Sequence, residues 1–177
     1  CGDHAITITW GNTITAAANQ QVMALYRYLC ERKIPGVLDL IPAYASLTLV
    51  YDLATVIKKF PGQSAYTIME SALQLAAQLV ELSSSTGSRK VIIPVCYDLS
   101  LAPDLVALAE QHCLTIDEVI QLHTASTYRV YMIGFLPGFA YMGSVDERIR
   151  TARKSSPRTK VPAGSVGIAG EQTGIYP

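Results

Sequence analysis

The sequence predicts an α+β protein in two parts, and three observations carry that reading. Apolar residues recur at helical spacing in two long stretches of the N-terminal half. Runs of β-branched residues flank those stretches. Beyond residue 127 helical periodicity disappears, and short β-rich runs alternate with glycine and proline.

Each element follows from local chemistry. His4 to Trp10 alternates polar and apolar residues around Ile6, Thr7, Ile8 and Thr9, a strand pattern. Val22, Leu25, Tyr26 and Leu29 form one helical stripe, with Thr13 or Thr15 placed to cap its start. Pro35-Gly36 stops that helix; Val37 to Ile41 and Ser46 to Tyr51 read as a hairpin around Pro42-Ala-Tyr-Ala45. After Pro61-Gly62, Ala65, Ile68, Ala72, Leu75, Ala76 and Leu79 share a helix face. Ser83 to Arg89 is polar, and Lys90 to Val95 is strand-like again. The resulting β-α-β-β-α-β order is the split βαβ, ferredoxin-like pattern, assigned to residues 1–89. Pro94 marks the last run as a sheet edge or a domain junction, because proline donates no ladder hydrogen bond.

Residues 90–177 read differently. Pro103 suits a first helical turn, with Leu105, Leu108 and Ala109 at helical spacing behind it. Thr115-Ile-Asp-Glu118 is a capping box opening a second short helix. Thr127 to Ile133 is a β-rich strand, and the short runs that follow suggest a small barrel.

Composition narrows the function. Half of the 177 residues are hydrophobic and 16% are charged, enough for a sizeable core. Formal charge is zero and the pI near 7.0, so no general attraction to nucleic acid or anionic membrane is expected. Cys1, Cys30, Cys96 and Cys113 are widely spaced, without a Cys-x-x-Cys pair or a histidine cluster; reduced thiols and no metal site are expected. No apolar run has the length of a membrane helix, and no secretory leader pattern opens the chain, so the expected setting is cytoplasmic. A start on Cys1 and a stop on Pro177 inside a dense motif suggest a segment of a longer protein.

Chemistry concentrates in Gly134 to Tyr141 and Pro157 to Pro177. Glycine permits positive φ and close approach, while proline freezes φ, so alternating them fixes an irregular loop in one shape. Tyr141, Arg158, Ser165, Gln172, Thr173 and Tyr176 are the polar side chains such loops would present to a cleft. The same residues also suit a plain series of tight turns in a β domain. Asp104, Asp117 and Glu118 are explained as acids in the first turn of a helix. Arg148, Arg150, Arg153, Lys154, Arg158 and Lys160 form a basic run, read as a solvated face or a local landing site for an anion.

Leu122-His123, Tyr128 to Tyr141, Pro157-Arg158 and Val161-Pro-Ala-Gly-Ser-Val-Gly-Ile-Ala-Gly-x-Gln-Thr-Gly-Ile-Tyr-Pro177 resemble the signature of the KipI family, whose members are also called the B-type subunit of 5-oxoprolinase or subunit 1 of allophanate hydrolase. Gly36 to Asp39 and Pro42 to Tyr44 extend the resemblance upstream. It implies a ferredoxin-like domain followed by a cyclophilin-like β-barrel, incomplete at Pro177 because the usual Ser-Pro-Gly-Gly-Trp continuation is absent. The glycine pair usual after the strand ending near Val95 is also replaced.

The resemblance further implies a subunit of a hydrolase that uses ATP to open 5-oxoproline to glutamate beside KipA-type and LamB/YcsF-type subunits. In that setting His123, Arg158 and Gln172 are the candidate catalytic residues. His123 lies on the inward stripe of its helix and suits proton transfer, Arg158 offers a planar fork for a carboxylate, and Gln172 has both donor and acceptor for a ring amide. Phe139, Tyr141, Gly164, Ser165, Gly167, Gly170 and Thr173 are the candidate substrate-binding residues, with glycine amides offered to an oxyanion. Two alternatives stay open: a binding module that inhibits a sporulation-type histidine kinase, and a subunit handling urea or allophanate.

Overall fold

The computed structural model describes residues 3–81, 89–156 and 158–177; Cys1, most of the polar 83–89 stretch and Pro157 fall outside these. The chain divides into two compact units, Cys1–Arg89 and Lys90–Pro177.

In the first unit, strand β1 (Ala5–Thr9) is followed by helix α1 (Ala16–Glu31), strands β2 (Val37–Pro42) and β3 (Ser46–Tyr51), and helices α2 (Leu53–Lys59) and α3 (Ala65–Glu81). The sheet is antiparallel in the order β1-β3-β2. Thr15 caps α1, its hydroxyl accepting from the Ala18 amide at 3.1 Å. Gly36 turns the chain at φ +88°, where a Cβ would lie 2.6 Å from Val56 Cγ2, so glycine is required twice over. Helix α1 packs on β2, β3 and α3, while α3 also covers β1. Val22, Leu25, Leu47, Leu49, Val56 and Met69 form a closed apolar core beneath them.

Two features differ from the sequence reading. The short α2 follows β3 directly, opened by Asp52, whose carboxylate accepts from the Thr55 amide at 2.8 Å. Lys90 to Val95 joins no sheet, and Val91, Ile92, Ile93 and Val95 are exposed. Among the described residues the expected βαββαβ unit therefore has three strands, not four. High β-propensity does not make a strand without a neighbouring edge, and Pro94 weakens the run as a partner.

The second unit contains α4 (Leu105–Gln111), α5 (Ile116–Ala125), β4 (Arg129–Ile133), β5 (Ala140–Gly143), a 3-10 turn (Glu147–Ile149), β6 (Val166–Ala169) and β7 (Gln172–Ile175). Its antiparallel sheet runs β4-β5-β7-β6. Strands β4 and β6 are open edges, so the expected barrel is not closed among the described residues. Helix α5 begins at the expected capping box: Glu118 N–H donates to Thr115 Oγ1 at 3.2 Å, and Thr115 N–H donates to Glu118 Oε2 at 2.7 Å. A compact apolar centre joins Leu105, Ala109, Val119, Val145 and Ile149. It fixes α4 and α5 beside the chain that leads to β6.

Candidate functional site

Three clusters of the second unit hold the residues singled out by sequence. The first is aromatic and is carried by the β4–β5 hairpin. At its tip Leu136 N–H donates to Gly134 O at 2.8 Å and Phe135 sits at φ +66°, so the turn is a tight one centred on a non-glycine residue. Phe139 is buried, its ring centroid 4.8 Å from Tyr141, 5.0 Å from Tyr176 and 5.8 Å from Phe135, each pair edge to face. It lies against Gly174 of β7, where an added Cβ would meet Phe139 Cζ at 2.5 Å. Gly174 thus serves close packing, not a turn.

The β6–β7 hairpin closes over Gly170-Glu171, with Ala169 paired to Gln172 and Gly170 at φ +63°, the arrangement of a type II′ turn. The amides proposed as oxyanion donors are partly committed. Gly170 N–H donates to Thr151 O at 2.7 Å, and Gly164 N–H to Tyr176 O at 2.8 Å. These two donors hold the fold together and are not presented to a ligand. Gln172 is half-buried at the start of β7, paired across to Gly143.

The second cluster centres on His123 of α5, which is buried, as its place on the inward stripe predicts. Tyr97 Oη lies 2.6 Å from His123 Nδ1, and Thr173 Oγ1 lies 3.5 Å from Nε2. Thr173 in turn donates its hydroxyl proton to Gly167 O at 2.9 Å, and Tyr128 Oη donates to the His123 carbonyl at 2.7 Å. Burial holds the imidazole below its ordinary pKa and raises both tyrosines above theirs. A neutral imidazole between protonated phenols is the state the surroundings favour.

The third cluster is ionic. Both terminal guanidinium nitrogens of Arg158 donate to the Asp104 carboxylate, at 2.6 and 2.7 Å, and Lys154 Nζ also contacts Asp104. Hydrogen bonding from Arg158, the largest cause, and then from Lys154 keeps the Asp104 carboxyl below its usual pKa. Asp104 makes no cap hydrogen bond to α4, so the first-turn explanation from sequence is corrected: its carboxylate serves the two cations. Arg148 is likewise taken up by Asp146, whose carboxyl is lowered to about 2 chiefly by that hydrogen bond. Much of the basic run is therefore paired within the unit.

No hydrogen bond or ion pair among the described residues joins Arg158 to His123 or Gln172. The structure brings His123 together with Thr173 and Gly167, and Phe139 with Tyr141 and Gly174. Arg158 stands with Asp104. Sequence reading missed Tyr97, Asp104 and Lys154 as partners, because those contacts join residues 26, 54 and 50 positions apart. Two cavities, of about 300 and 390 Å³, are lined by residues of the first unit, one by Gly11 to Ile14 and the other by Tyr51 and Tyr66 among others. No group of three metal-ligating side chains occurs among the described residues, and no helix there is long and apolar enough to cross a membrane. Cys30, Cys96 and Cys113 are free and exposed.

Comparison with known proteins gives this geometry its context. The family model of the carboxyltransferase domain, subdomain C and D, matches residues 1–177. The B-type subunit of 5-oxoprolinase from Bacillus subtilis (strain 168) is 42% identical over 178 residues, covering 99% of this chain and 74% of that protein. Its counterpart of the same name from Escherichia coli O157:H7 is 34% identical over 176 residues, covering 99% and 76%. The crystal structure of TTHA0988 superposes with a TM-score of 0.80 at 34% identity, over 97% of this chain and 31% of that one. This chain therefore spans under a third of that structure. Kluyveromyces lactis urea carboxylase, at 15% identity and a TM-score of 0.67 over 98% of this chain and 17% of its own, shares the fold. In agreement with the KipI-family resemblance of its C-terminal motif, the chain belongs to the family of carboxyltransferase subdomain C and D proteins, among relatives named as the B-type subunit of 5-oxoprolinase.

Proposed function

We propose that this chain is a B-type subunit of 5-oxoprolinase, acting in a complex that opens 5-oxoproline to glutamate with ATP as co-substrate. The observation that carries the reading is the 42% identity to a B-type 5-oxoprolinase subunit across 99% of the chain. KipA-type and LamB/YcsF-type subunits are the proposed companions. An unactivated lactam is a poor electrophile. Transfer of the γ-phosphoryl group to the amide oxygen, with ADP leaving, makes the ring carbon attackable by water; the C–N bond then breaks, the nitrogen takes the electron pair and a proton, and a second water hydrolyses the resulting γ-acyl phosphate to glutamate and inorganic phosphate.

Within this chain the proposed division of labour is between carboxylate and amide. Arg158 holds the substrate carboxylate, and Gln172, from its fixed place at the start of β7, meets the ring amide. Support for the first role comes from the bidentate grip of Arg158 on Asp104, the geometry an arginine fork offers any carboxylate. A substrate carboxylate would share or displace Asp104. Phe139 and Tyr141 supply an apolar wall, and Ser165 and Thr173 are the further proposed substrate-binding side chains.

The test is ATP-dependent glutamate formation from 5-oxoproline by the complex assembled with its companion subunits, using wild-type and Arg158→Ala chains. Loss of a charge-assisted hydrogen bond of about 1.5–3 kcal/mol predicts a tenfold to hundredfold fall in activity, with the melting temperature nearly unchanged. Near-normal activity in the variant refutes the carboxylate role. A wild-type complex that forms no glutamate refutes the function itself.

A further inference from the structure

From the hydrogen bonds around α5 we infer that His123 is a positioning residue, held as a neutral imidazole with its proton on Nε2, and that Tyr97 is the group that selects this tautomer. The inference refines the proposed site: it concerns how the β6–β7 hairpin, with Gln172 on it, is held in place.

Proton counting fixes the tautomer. Thr173 has one hydroxyl proton, and the structure directs it to Gly167 O at 2.9 Å. Towards His123 the same oxygen therefore offers only lone pairs. The contact at 3.5 Å to Nε2 is attractive only if Nε2 carries the proton. A neutral imidazole has one N–H, so Nδ1 is then a bare acceptor. At 2.6 Å stands Tyr97 Oη, a phenol whose proton is retained because burial disfavours its anion. Tyr97 donates to Nδ1, His123 donates to Thr173, and Thr173 donates to Gly167. All three donors point the same way.

Two consequences follow. Both ring nitrogens are engaged inside the unit, so His123 presents neither a free base nor a free acid to a ligand. Thr173 immediately follows Gln172, and Gly167 lies on the facing strand, paired with Gly174. The chain of donors therefore ties α5 and the Tyr97 segment to both strands of the hairpin. Tyr128, which donates to the His123 carbonyl and stacks obliquely at 5.4 Å, holds the same turn of α5 from another side. The role in proton transfer that the sequence suggests for His123 gives way to one in geometry.

Imidazole nitrogen resonances of the full chain, ¹⁵N-labelled, at neutral pH decide the point. There are three histidines, His4, His112 and His123, and single substitutions assign them. The expected spectrum has His123 Nε2 protonated and Nδ1 unprotonated; Tyr97→Phe is expected to lose this single tautomer and give a mixture. An Nδ1–H tautomer or an imidazolium in the wild type overturns the inference, as does an unchanged spectrum in Tyr97→Phe. Activity supplies a separate arm in the assembled complex. Glutamine can place an amide N–H near Nε2 but cannot shuttle a proton at neutral pH. His123→Gln is expected to retain activity to within about tenfold, the worth of one hydrogen bond. A loss of about 10²-fold or more at an unchanged melting temperature would restore the acid–base role and overturn this one. If the wild-type complex has no activity towards 5-oxoproline, the function proposed above fails while the spectrum still decides the tautomer.

Discussion

In the first unit the interior is almost wholly apolar: Val22, Leu25, Leu47, Leu49, Val56 and Met69 are all fully buried, and Asn19 is the polar residue enclosed with them. The amide of Asn19 donates towards the carbonyls of Tyr44 and Ala43, so even this exception serves the β2–β3 turn. In the second unit the apolar centre of Leu105, Val119, Val145 and Ile149 is smaller, and the buried set also includes His123 and Thr173. Apolar burial is non-directional and tolerant of small shifts, whereas a hydrogen-bond chain is worth little unless every member is in place. The first unit is built for stability. The second sets side chains at defined angles, and it carries the dense glycine–proline motif of residues 157–177.

The largest effect that tests this contrast belongs in the first core. Leu25→Ala removes a fully buried side chain and should cost about 2–5 kcal/mol. Trp10, the one tryptophan of the chain, packs against that core, so its fluorescence during urea unfolding reports the loss directly. A cost below about 1 kcal/mol would mean that the site collapses around the deletion, and the picture of a rigid apolar interior would break.

Gly174→Ala comes next and probes the second unit. In an ordinary strand, alanine for glycine stabilises by roughly 0.5–1 kcal/mol through the unfolded chain. Here the new methyl would meet Phe139 Cζ at 2.5 Å, Cε1 at 3.1 Å and Ala140 O at 3.2 Å. Phe139 has Tyr141 and Tyr176 packed against it, which limits its retreat. The expected sign is destabilising, by about 1–3 kcal/mol, read as faster amide exchange along β5 and β7. Slower exchange would show that the ring moves aside at little cost.

A smaller effect separates the units by pH. Burial depresses the folded pKa of His123 below the value near 6.5 expected of the unfolded chain. The unfolded state then binds the additional proton, so stability is fully present above about pH 6.5 and declines as pH falls from there towards the lower folded pKa. Asp52, Asp98, Asp104, Glu118 and Asp146 are also lowered, but as carboxylates they withdraw stability only as pH falls below about 5. Between those limits His123→Gln should flatten the slope of melting temperature against pH. An unchanged slope in the variant would show that the imidazole is not held neutral.

How much of this was legible in the sequence depends on the distance over which each feature is encoded. Caps are local: the Thr115 to Glu118 box forms where the residues placed it, and of the two candidates Thr13 and Thr15 it is Thr15 that caps α1. The helical stripes likewise put Leu25 and His123 inside. Asp52 was as readable as Thr15, yet α2 has only two turns and gives no periodicity to notice. The Lys90 to Val95 run shows the opposite failure: propensity is local, but a strand exists only with a partner edge, which sequence composition does not reveal. The fate of Arg158 was hidden because Asp104 lies 54 residues away and looked sufficient as a helix-start acid. Gly174 was not singled out within its glycine-rich run; its reason is the Phe139 ring, contributed from 35 residues upstream, just before β5.

The smallest prediction concerns how far the second unit stands from its own optimum. Helix α4 ends in a Schellman motif: Leu114 N–H donates to Ala109 O at 2.9 Å and Cys113 N–H to Glu110 O at 3.1 Å. That motif puts its first residue beyond the cap in the left-handed region, and here the residue is Cys113, at φ +53°. A residue with a Cβ pays roughly 1–2 kcal/mol for that conformation, while glycine adopts it without strain. Glycine also gives the unfolded chain more freedom, which offsets about 0.4–1 kcal/mol of the gain. The Cys113 thiol is exposed, so its removal sacrifices little packing. Cys113→Gly should therefore raise stability by a few tenths to about 1 kcal/mol, seen as a higher urea midpoint with an unchanged slope. Cys113→Ala is the control, since alanine keeps the Cβ and should show no comparable gain. If both variants gain equally, the thiol and not the backbone was unfavourable; if glycine lowers the midpoint, the helix end tolerates cysteine without strain, and the second unit is better optimised locally than its small core suggests.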